Sequence, residues 1–252
     1  MTTAGSRASS RAAPPAAVEV VFADLIQCGA LLDAEERATP RLSPTDLNRL
    51  TRLASDAQRQ RDWQRSRVAT RIALERFAGA QIRNANFTIE EGGRPRLAEA
   101  PPHFSVSHSG TGVLIAISMT AIIGADLEAP RTLDMTEDRR RRIATAAAAL
   151  MGDGKPASET SDAETLKNWV RLEAVAKARG TGIQHFLTDA GVSGGRDFRP
   201  GFAAACATYA VRDLALPGGF RGAVASVSLP GPLQARLFPA TGAELEAYLK
   251  PN

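Results

Sequence analysis

Apolar and polar residues alternate along the chain with periods that predict both strands and helices. From His103 to Ser109 serine alternates with Phe, Val and His, which is typical of a strand that buries one face. The runs Val113 to Ser118 and Ile122 to Glu128 predict two more strands, so we expect an antiparallel sheet in this central region. Two further strand-like stretches, Ala207 to Leu214 and Phe220 to Leu229, flank a Pro-Gly-Gly turn.

Helical periodicity marks other segments. A Ser-Pro pair at residues 43–44 predicts a helix start, because serine caps the first amides and proline fits the first turn, and apolar residues continue at helical spacing to Phe77. Residues 137–151 and 163–179 predict two more helices, the second ended by Gly180. Each half of the chain therefore supplies a helix and antiparallel strands, an α+β pattern.

Composition adds information mainly through charge. The 252 residues, 44% hydrophobic and 23% charged, are typical of a globular protein. Lys and Arg together number 31, against 27 Asp and Glu, and arginine supplies most of the positive charge. The guanidinium of arginine binds phosphate through two parallel hydrogen bonds, which lysine cannot do. This excess fits an acidic small molecule or protein better than nucleic acid, although an arginine-rich helix leaves nucleic-acid binding as a minor alternative. The longest apolar run is too short for a membrane span, so we predict no membrane partner.

The expected organisation is a disordered arm at 1–18, an N-terminal half at 19–119 and a C-terminal half at 120–252. The arm is rich in Ala, Ser, Arg and Pro and lacks the apolar stretch of a secretory signal, with a transit peptide as the alternative. Cys28 and Cys206 are interpreted as core residues of a reducing compartment, which predicts a cytoplasmic protein.

Acidic residues supply the first candidate chemistry. Asp126 and Glu128 are two positions apart on a predicted strand, so both carboxylates project from one face and suit Mg²⁺, although such a pair is also typical of a solvated strand face. On the predicted helix, Glu173 and Lys177 lie one turn apart and continue an apolar stripe through Val170. An ordinary surface ion pair is the alternative there.

Ser107, His108 and the arginines suggest phosphate binding. Adjacent strand residues point to opposite faces, so His108 is poorly placed to act as a base for Ser107, and phosphate contacts fit better than a nucleophile; a buried core histidine is the alternative. The arginines between Arg59 and Arg71 are interpreted as a solvated helix face, except that Arg71 lies at the edge of the apolar stripe and can reach into a cleft. The sequence contains no phosphate-binding loop, no dinucleotide glycine motif and no Cys/His cluster with zinc spacing.

Three segments occur in a specific order: FSVSHS at 104–109, IGADLE at 123–128 and WVRLEAVAK at 169–177. Together they strongly resemble the 4′-phosphopantetheinyl transferases of the larger, surfactin-type class. The resemblance extends from about Leu42 to the final strands and includes Gly-Arg-Pro at 93–95, where the family usually has a Gly-Lys-Pro-like turn. It implies a pseudo-twofold α+β monomer whose halves meet around coenzyme A and Mg²⁺, with Mn²⁺ as an alternative metal.

The same resemblance implies a role for each matching residue. Glu173 and Lys177 would be catalytic: the glutamate would help deprotonate the serine of the carrier protein, and the lysine would hold the phosphate and assist the departing 3′,5′-ADP. The residues implied in metal binding are Asp126, Glu128 and Glu173. The residues implied in holding coenzyme A are Arg71, Arg94, Ser107, His108 and Lys177.

The implied activity is that of a holo-acyl-carrier-protein synthase, which transfers phosphopantetheine from coenzyme A to a serine of an acidic acyl or peptidyl carrier protein. One departure from the family pattern is Leu172, where lysine commonly precedes the glutamate. This departure supports a second hypothesis, a non-catalytic homologue that binds coenzyme A or a carrier. Under the main hypothesis we expect Leu172→Lys to leave activity unchanged or raise it.

Overall fold

The computed structural model describes residues 18–98, 101–152, 161–194 and 199–250 and shows a mixed α+β protein. Its helices are α1 (Leu25–Ala38), α2 (Pro44–Arg52), α3 (Ala57–Ala78), α4 (Glu137–Met151), α5 (Asp162–Arg179), α6 (Ile183–Asp189), α7 (Phe202–Cys206) and α8 (Gly242–Leu249). Its strands are β1 (Val18–Asp24), β2 (Thr88–Ile89), β3 (Pro95–Arg96), β4 (His103–Ser109), β5 (Gly112–Ser118), β6 (Ile123–Glu128), β7 (Ala210–Ala215), β8 (Arg221–Ser226) and β9 (Ala235–Leu237).

Two sheets pack against each other at the centre, and helices cover their outer faces. The strand order is β4-β5-β1-β9 in the first sheet and β6-β8-β7 in the second. On β1, Val21 contributes to the core beneath α1, α3 and α8, while Phe22 contributes to the core between the sheets, where it meets residues such as Leu127 of β6. A third core joins the second sheet to α4–α7. Since β1 and β5 are covered on both faces, their sequences are apolar almost throughout.

Several predicted elements are confirmed at or near their predicted bounds. β4 and α4 match residue for residue, and α5 begins one residue earlier than predicted. Ser43 caps α2, because its hydroxyl accepts from the backbone N–H of Asp46 (3.2 Å) while the Asp46 carboxylate accepts from the backbone N–H of Ser43.

Two predictions about continuity are corrected. The apolar pattern from Leu47 to Phe77 belongs to two helices, because the chain turns at residues 53–56 and Asp56 caps α3. The third predicted central strand does not join the sheet of β4 and β5. Instead β6 pairs antiparallel with β8, a partner about a hundred residues later that no local turn pattern can indicate.

The end of the chain returns to the first sheet. β9 pairs parallel with β1, and Phe238, Leu245 and Tyr248 enter the core beneath α1 and α3. Residues 235–249, assigned from sequence to the C-terminal half, therefore complete the core of the N-terminal half, since β1 needs a partner on its second edge.

Other predictions concern the termini, a loop and the cysteines. The predicted arm lies outside the described residues except for Val18, which begins β1, and most of the surface loop predicted after Gly152 also lies outside them. Cys28 and Cys206 are both buried and unbridged, which confirms their placement in the core. In the described ranges, no helix has the length and apolar character to cross a membrane.

Candidate active site

Two strand edges from different sheets meet along β4 and β6. The Ser105 hydroxyl accepts from the backbone N–H of Ala125 (3.0 Å), and the Ser109 hydroxyl accepts from that of Ala129 (3.0 Å). The offset of 20 residues is the same at both contacts, so the two strands run in the same direction. Their side chains are consequently paired in sequence order along the junction.

Asp126 is the point where three elements meet. Its Oδ1 accepts hydrogen bonds from the Ser107 hydroxyl of β4 (2.7 Å) and from Lys177 Nζ of α5 (2.6 Å). α5 reaches β6 this closely because Gly124 has no side chain: a Cβ there would overlap the backbone of α5 at Ala174. The buried carboxylate of Asp126 therefore links its own strand, β6 of the second sheet, to β4 of the first sheet and to α5.

Glu173 adds a second carboxylate beside Asp126. Burial and then the negative charge of Asp126 raise the pKa of Glu173, and Lys177 opposes them; the result is a pKa of about 7. Lys177 forms its ion pair with Asp126, so the predicted alternative of a plain i, i+4 surface pair between Glu173 and Lys177 does not describe this helix face.

Glu128 lies one strand repeat beyond Asp126 on the same face, as predicted from their spacing. Its Oε2 accepts from the Ser109 hydroxyl (2.9 Å), and its carboxylate is also paired with the half-exposed guanidinium of Arg131. Thus the two strand carboxylates each have one serine and one cation as partners.

The donor chemistry of these acids fits a divalent cation. Asp126, Glu128 and Glu173 offer the hard oxygen ligands that Mg²⁺ prefers. The raised pKa of Glu173 reflects burial first and then the negative charge of Asp126, and a cation would relieve that charge. Among the described residues no three such side chains form a ready-made metal cage. Lys177 and Arg131 hold two of the carboxylates instead, so metal binding would require these cations to move.

A cleft of about 580 Å³ lies on the other face of β4. His108 is exposed and lines it, which excludes the alternative of a buried core histidine. The α3 residues along one side follow helical spacing, and the carboxylates of Asp56 and Asp62 also line the cleft. One arginine from α2 and two from α3 contribute positive charge, and one tryptophan contributes an aromatic ring. These wall residues are Arg49, Arg59, Trp63 and Arg67.

Arg71 lies away from the cleft that it was expected to reach. Its side chain is 1% exposed, forms an ion pair with Asp46 and donates to the carbonyl of Ala85 (2.8 Å). One turn earlier, Arg67 faces the cleft and packs over the rings of Trp63 (5.1 Å) and Phe87 (4.9 Å). The apolar stripe turns Arg71 inward, so in this structure it anchors α2 on α3.

Arg94 lies near the C-terminal end of α5. It pairs with Glu90 and donates to the carbonyl of Ala178 (3.3 Å), a favourable place for a cation at a helix C-terminus. Its neighbour Pro95 lines the cleft, whereas the Arg94 guanidinium is directed to the helix. The structure therefore brings Ser107, Asp126, Glu128, Glu173 and Lys177 together, whereas His108 faces the cleft and Arg94 contacts the end of α5.

The wall residues Arg59, Trp63 and Arg67 were missed as candidates. Their signal was present, because they recur at helical spacing within the arginine-rich segment and include its one tryptophan. Arg65, by contrast, pairs with Asp33 (2.6 Å) on α1, so charge alone did not separate the cleft residues from the others.

Leu172 is completely buried in the core beneath α5. This burial argues against the expectation that Leu172→Lys leaves activity unchanged or raises it, because the new ammonium would have to enter that core. Leu172 is thus a packing residue in this structure.

Comparison with known proteins found no matching family model and no matching curated protein.

Proposed function

We propose that the protein transfers 4′-phosphopantetheine from coenzyme A to a serine of an acyl or peptidyl carrier protein, with Mg²⁺ or Mn²⁺ bound. The observation that carries the proposal is the meeting of Ser107, Asp126 and Lys177 at one carboxylate, with Glu173 beside it. These residues come from the three ordered segments that resemble the transferases.

In this reaction the serine oxygen attacks the phosphorus that bears the pantetheine arm, and the bond from that phosphorus to the oxygen of 3′,5′-ADP breaks. Asp126, Glu128 and Glu173 would hold the cation, which supplies charge neutralisation at the pyrophosphate. Glu173 would receive the serine proton, since its carboxylate lies beside Asp126 in the same site. Lys177 would exchange its contact with Asp126 for the leaving phosphate.

The cleft suits the nucleotide end of coenzyme A. Arg59 and His108 offer hydrogen bonds to phosphate, and Trp63 offers a ring for stacking. Arg67 would add a charge-assisted hydrogen bond while its Nε pairs with Asp46 (3.3 Å). The cleft and the acidic site lie on opposite faces of β4, beside the consecutive residues His108 and Ser107. A substrate as long as coenzyme A could therefore contact both. The phosphate contacts inferred for Arg71 and Arg94 remain predictions, and both would have to leave their present partners.

The proposal also retains the pseudo-twofold relation of the halves, the monomeric state, the acidic carrier and the cytoplasmic location. The pseudo-twofold relation is supported by one long helix on the outer face of each sheet, α3 on the first and α5 on the second. A non-catalytic homologue that binds coenzyme A or a carrier is the second proposal, and it rests on Leu172 at the position where the transferases commonly have lysine.

Mass spectrometry of apo carrier proteins incubated with coenzyme A and Mg²⁺ tests the activity. We expect one carrier to gain one phosphopantetheine, and Asp126→Ala to abolish the gain while remaining folded. Glu173→Gln and Lys177→Ala should each lower kcat by about 100-fold or more. Carrier binding without a mass gain would identify the non-catalytic homologue instead.

Dephospho-coenzyme A tests the cleft separately. We expect it to be a poorer substrate than coenzyme A, and Arg59→Ala to narrow that gap. Arg61→Ala is the matched control, since it removes the same charge from the same helix outside the cleft wall. Equal use of both donors by the wild type would show that the cleft does not bind the 3′-phosphate.

A further inference from the structure

We propose that Ser109 is a positioning residue that holds Glu128 in the orientation for divalent-cation binding, as one rung of a serine ladder on β4. This inference rests on the proposed function, because it concerns the same acidic site. The ladder consists of Ser105, Ser107 and Ser109, whose hydroxyls all contact β6 or the residue that follows it.

The ladder satisfies backbone groups that the second sheet leaves unpaired. β6 pairs with β8 along one edge, so the N–H groups of Ala125 and Ala129 point away from that sheet. Ser105 and Ser109 accept from these two N–H groups at 3.0 Å each. A buried N–H without a partner is costly, so these hydroxyls stabilise the contact between the sheets.

The same geometry orients the Ser109 hydroxyl. A serine hydroxyl donates one hydrogen bond and accepts others. Because the Ser109 oxygen accepts from Ala129 N–H, its own proton is left for Glu128 Oε2, 2.9 Å away. The backbone N–H of Ala129 thereby orients the Ser109 hydroxyl, and that hydroxyl holds Glu128 Oε2.

Ser109 and Arg131 differ as partners of Glu128. The Arg131 side chain is 48% exposed on a loop, so it can swing away when a metal binds. Ser109 is on a strand and is held by its own backbone contact. Ser109 would therefore remain bound to Glu128 in both states. Outer partners of this kind typically change metal affinity by about 10- to 100-fold when they are removed.

Ser105 provides an internal control. Its hydroxyl makes the same type of backbone contact, to Ala125 at 3.0 Å, but neither of the strand carboxylates is its partner. Loss of Ser105 should therefore weaken the junction without disturbing the acids.

The test is titration calorimetry of the full-length protein with Mn²⁺ alone, with thermal unfolding of each variant. We expect Ser109→Ala to weaken Mn²⁺ binding by about tenfold or more, Ser109→Thr to restore it, and Ser105→Ala to lower Tm with nearly unchanged affinity. Ser109→Cys, similar in size with a weak donor, replaces the alanine variant if that one does not fold, and should also bind weakly.

The outcomes separate this inference from the proposed function. If the wild type binds no Mn²⁺, or if Glu128→Ala binds it equally well, the proposed metal site is wrong and the inference falls with it. If binding depends on Glu128 but folded Ser109 variants without the hydroxyl match the wild type, only the role of Ser109 is overturned. Equal weakening by Ser105→Ala would also overturn it, since the ladder would then act through general packing.

Discussion

Glu75 on α3 is a buried carboxylate with two arginine partners. Arg41 Nε donates to its Oε2 (2.9 Å), and Arg83 forms an ion pair with its other oxygen. Burial by itself would raise the pKa of Glu75, but the hydrogen bonds from Arg83 and Arg41 outweigh it and hold the pKa below its ordinary value. These pairs connect α3 to the segments that precede α2 and follow α3.

We expect Glu75→Gln to destabilise the protein in a pH-dependent way. A depressed folded pKa contributes stability above the unfolded pKa and loses it as the pH falls through the folded value. The variant should lower the free energy of unfolding by roughly 1–3 kcal/mol at neutral pH. Urea unfolding of both proteins at a series of pH values should show this gap shrinking under acid conditions. A gap that does not change with pH would contradict the charged role of Glu75.

Leu172 packs in the core next to Glu173, a carboxylate of the proposed site. Leu172→Lys should lower the free energy of unfolding by at least about 3 kcal/mol, because an ammonium would replace a fully buried aliphatic group. Leu172→Met, which keeps an apolar side chain of similar volume, is the matched control and should cost less than about 1.5 kcal/mol. Thermal unfolding compares the two, and equal stability would show that residue 172 can reach solvent.

At the scale of elements, the contact between β6 and α5 determines whether the acidic site can form. Gly124→Ala should push the helix from the strand, because the new Cβ would overlap backbone atoms of Ala174 and Ala178. We expect both a lower Tm and weaker Mn²⁺ binding, because Glu173 and Lys177 lie on α5 and would move away from Asp126 with the helix.

Gly231→Ala is the control for that change, because a Cβ at Gly231 meets no atom within 4 Å. Calorimetry and thermal unfolding of both variants make the comparison. If Gly124→Ala keeps the wild-type Tm and affinity, the close approach of α5 to β6 is not needed for the site.

At the scale of the whole molecule, the two cores on the outer faces of the sheets contain one cysteine each. Cys28 lies in the core beneath α1, α3 and α8, and Cys206 lies in the core between the second sheet and α4–α7. Burial raises the pKa of Cys28 to about 11 and also raises that of Cys206, so both thiols should react slowly in the folded protein. Because the two sheets share the core between them, we expect both thiols to become reactive at the same denaturant concentration.

Pulsed alkylation followed by peptide mass spectrometry measures the two cysteines separately. Cys28→Ser and Cys206→Ser, each alone, check that labelling of one thiol does not expose the other. Two transitions at clearly different denaturant concentrations would show that the halves unfold independently and that the core between the sheets contributes little.

The sequence by itself determined the elements whose signals are local. Alternation over seven residues placed β4, and the caps and apolar spacing placed α4 and α5. The same-face relation of Asp126 and Glu128 also followed from strand geometry, because it depends only on the period of two within one strand.

Only the tertiary structure decided the contacts between distant segments. The pairing of β6 with β8 and the return of β9 to β1 join residues about a hundred or more positions apart, and local patterns carry no record of such partners. The same limit applies to two arginines of α3. Helical spacing groups Arg67 with Arg71 and both pair with Asp46, but Arg71 is buried against α2 whereas Arg67 also lines the cleft. It also explains Ser109, whose link to Glu128 exists only because two sheets bring their edges together.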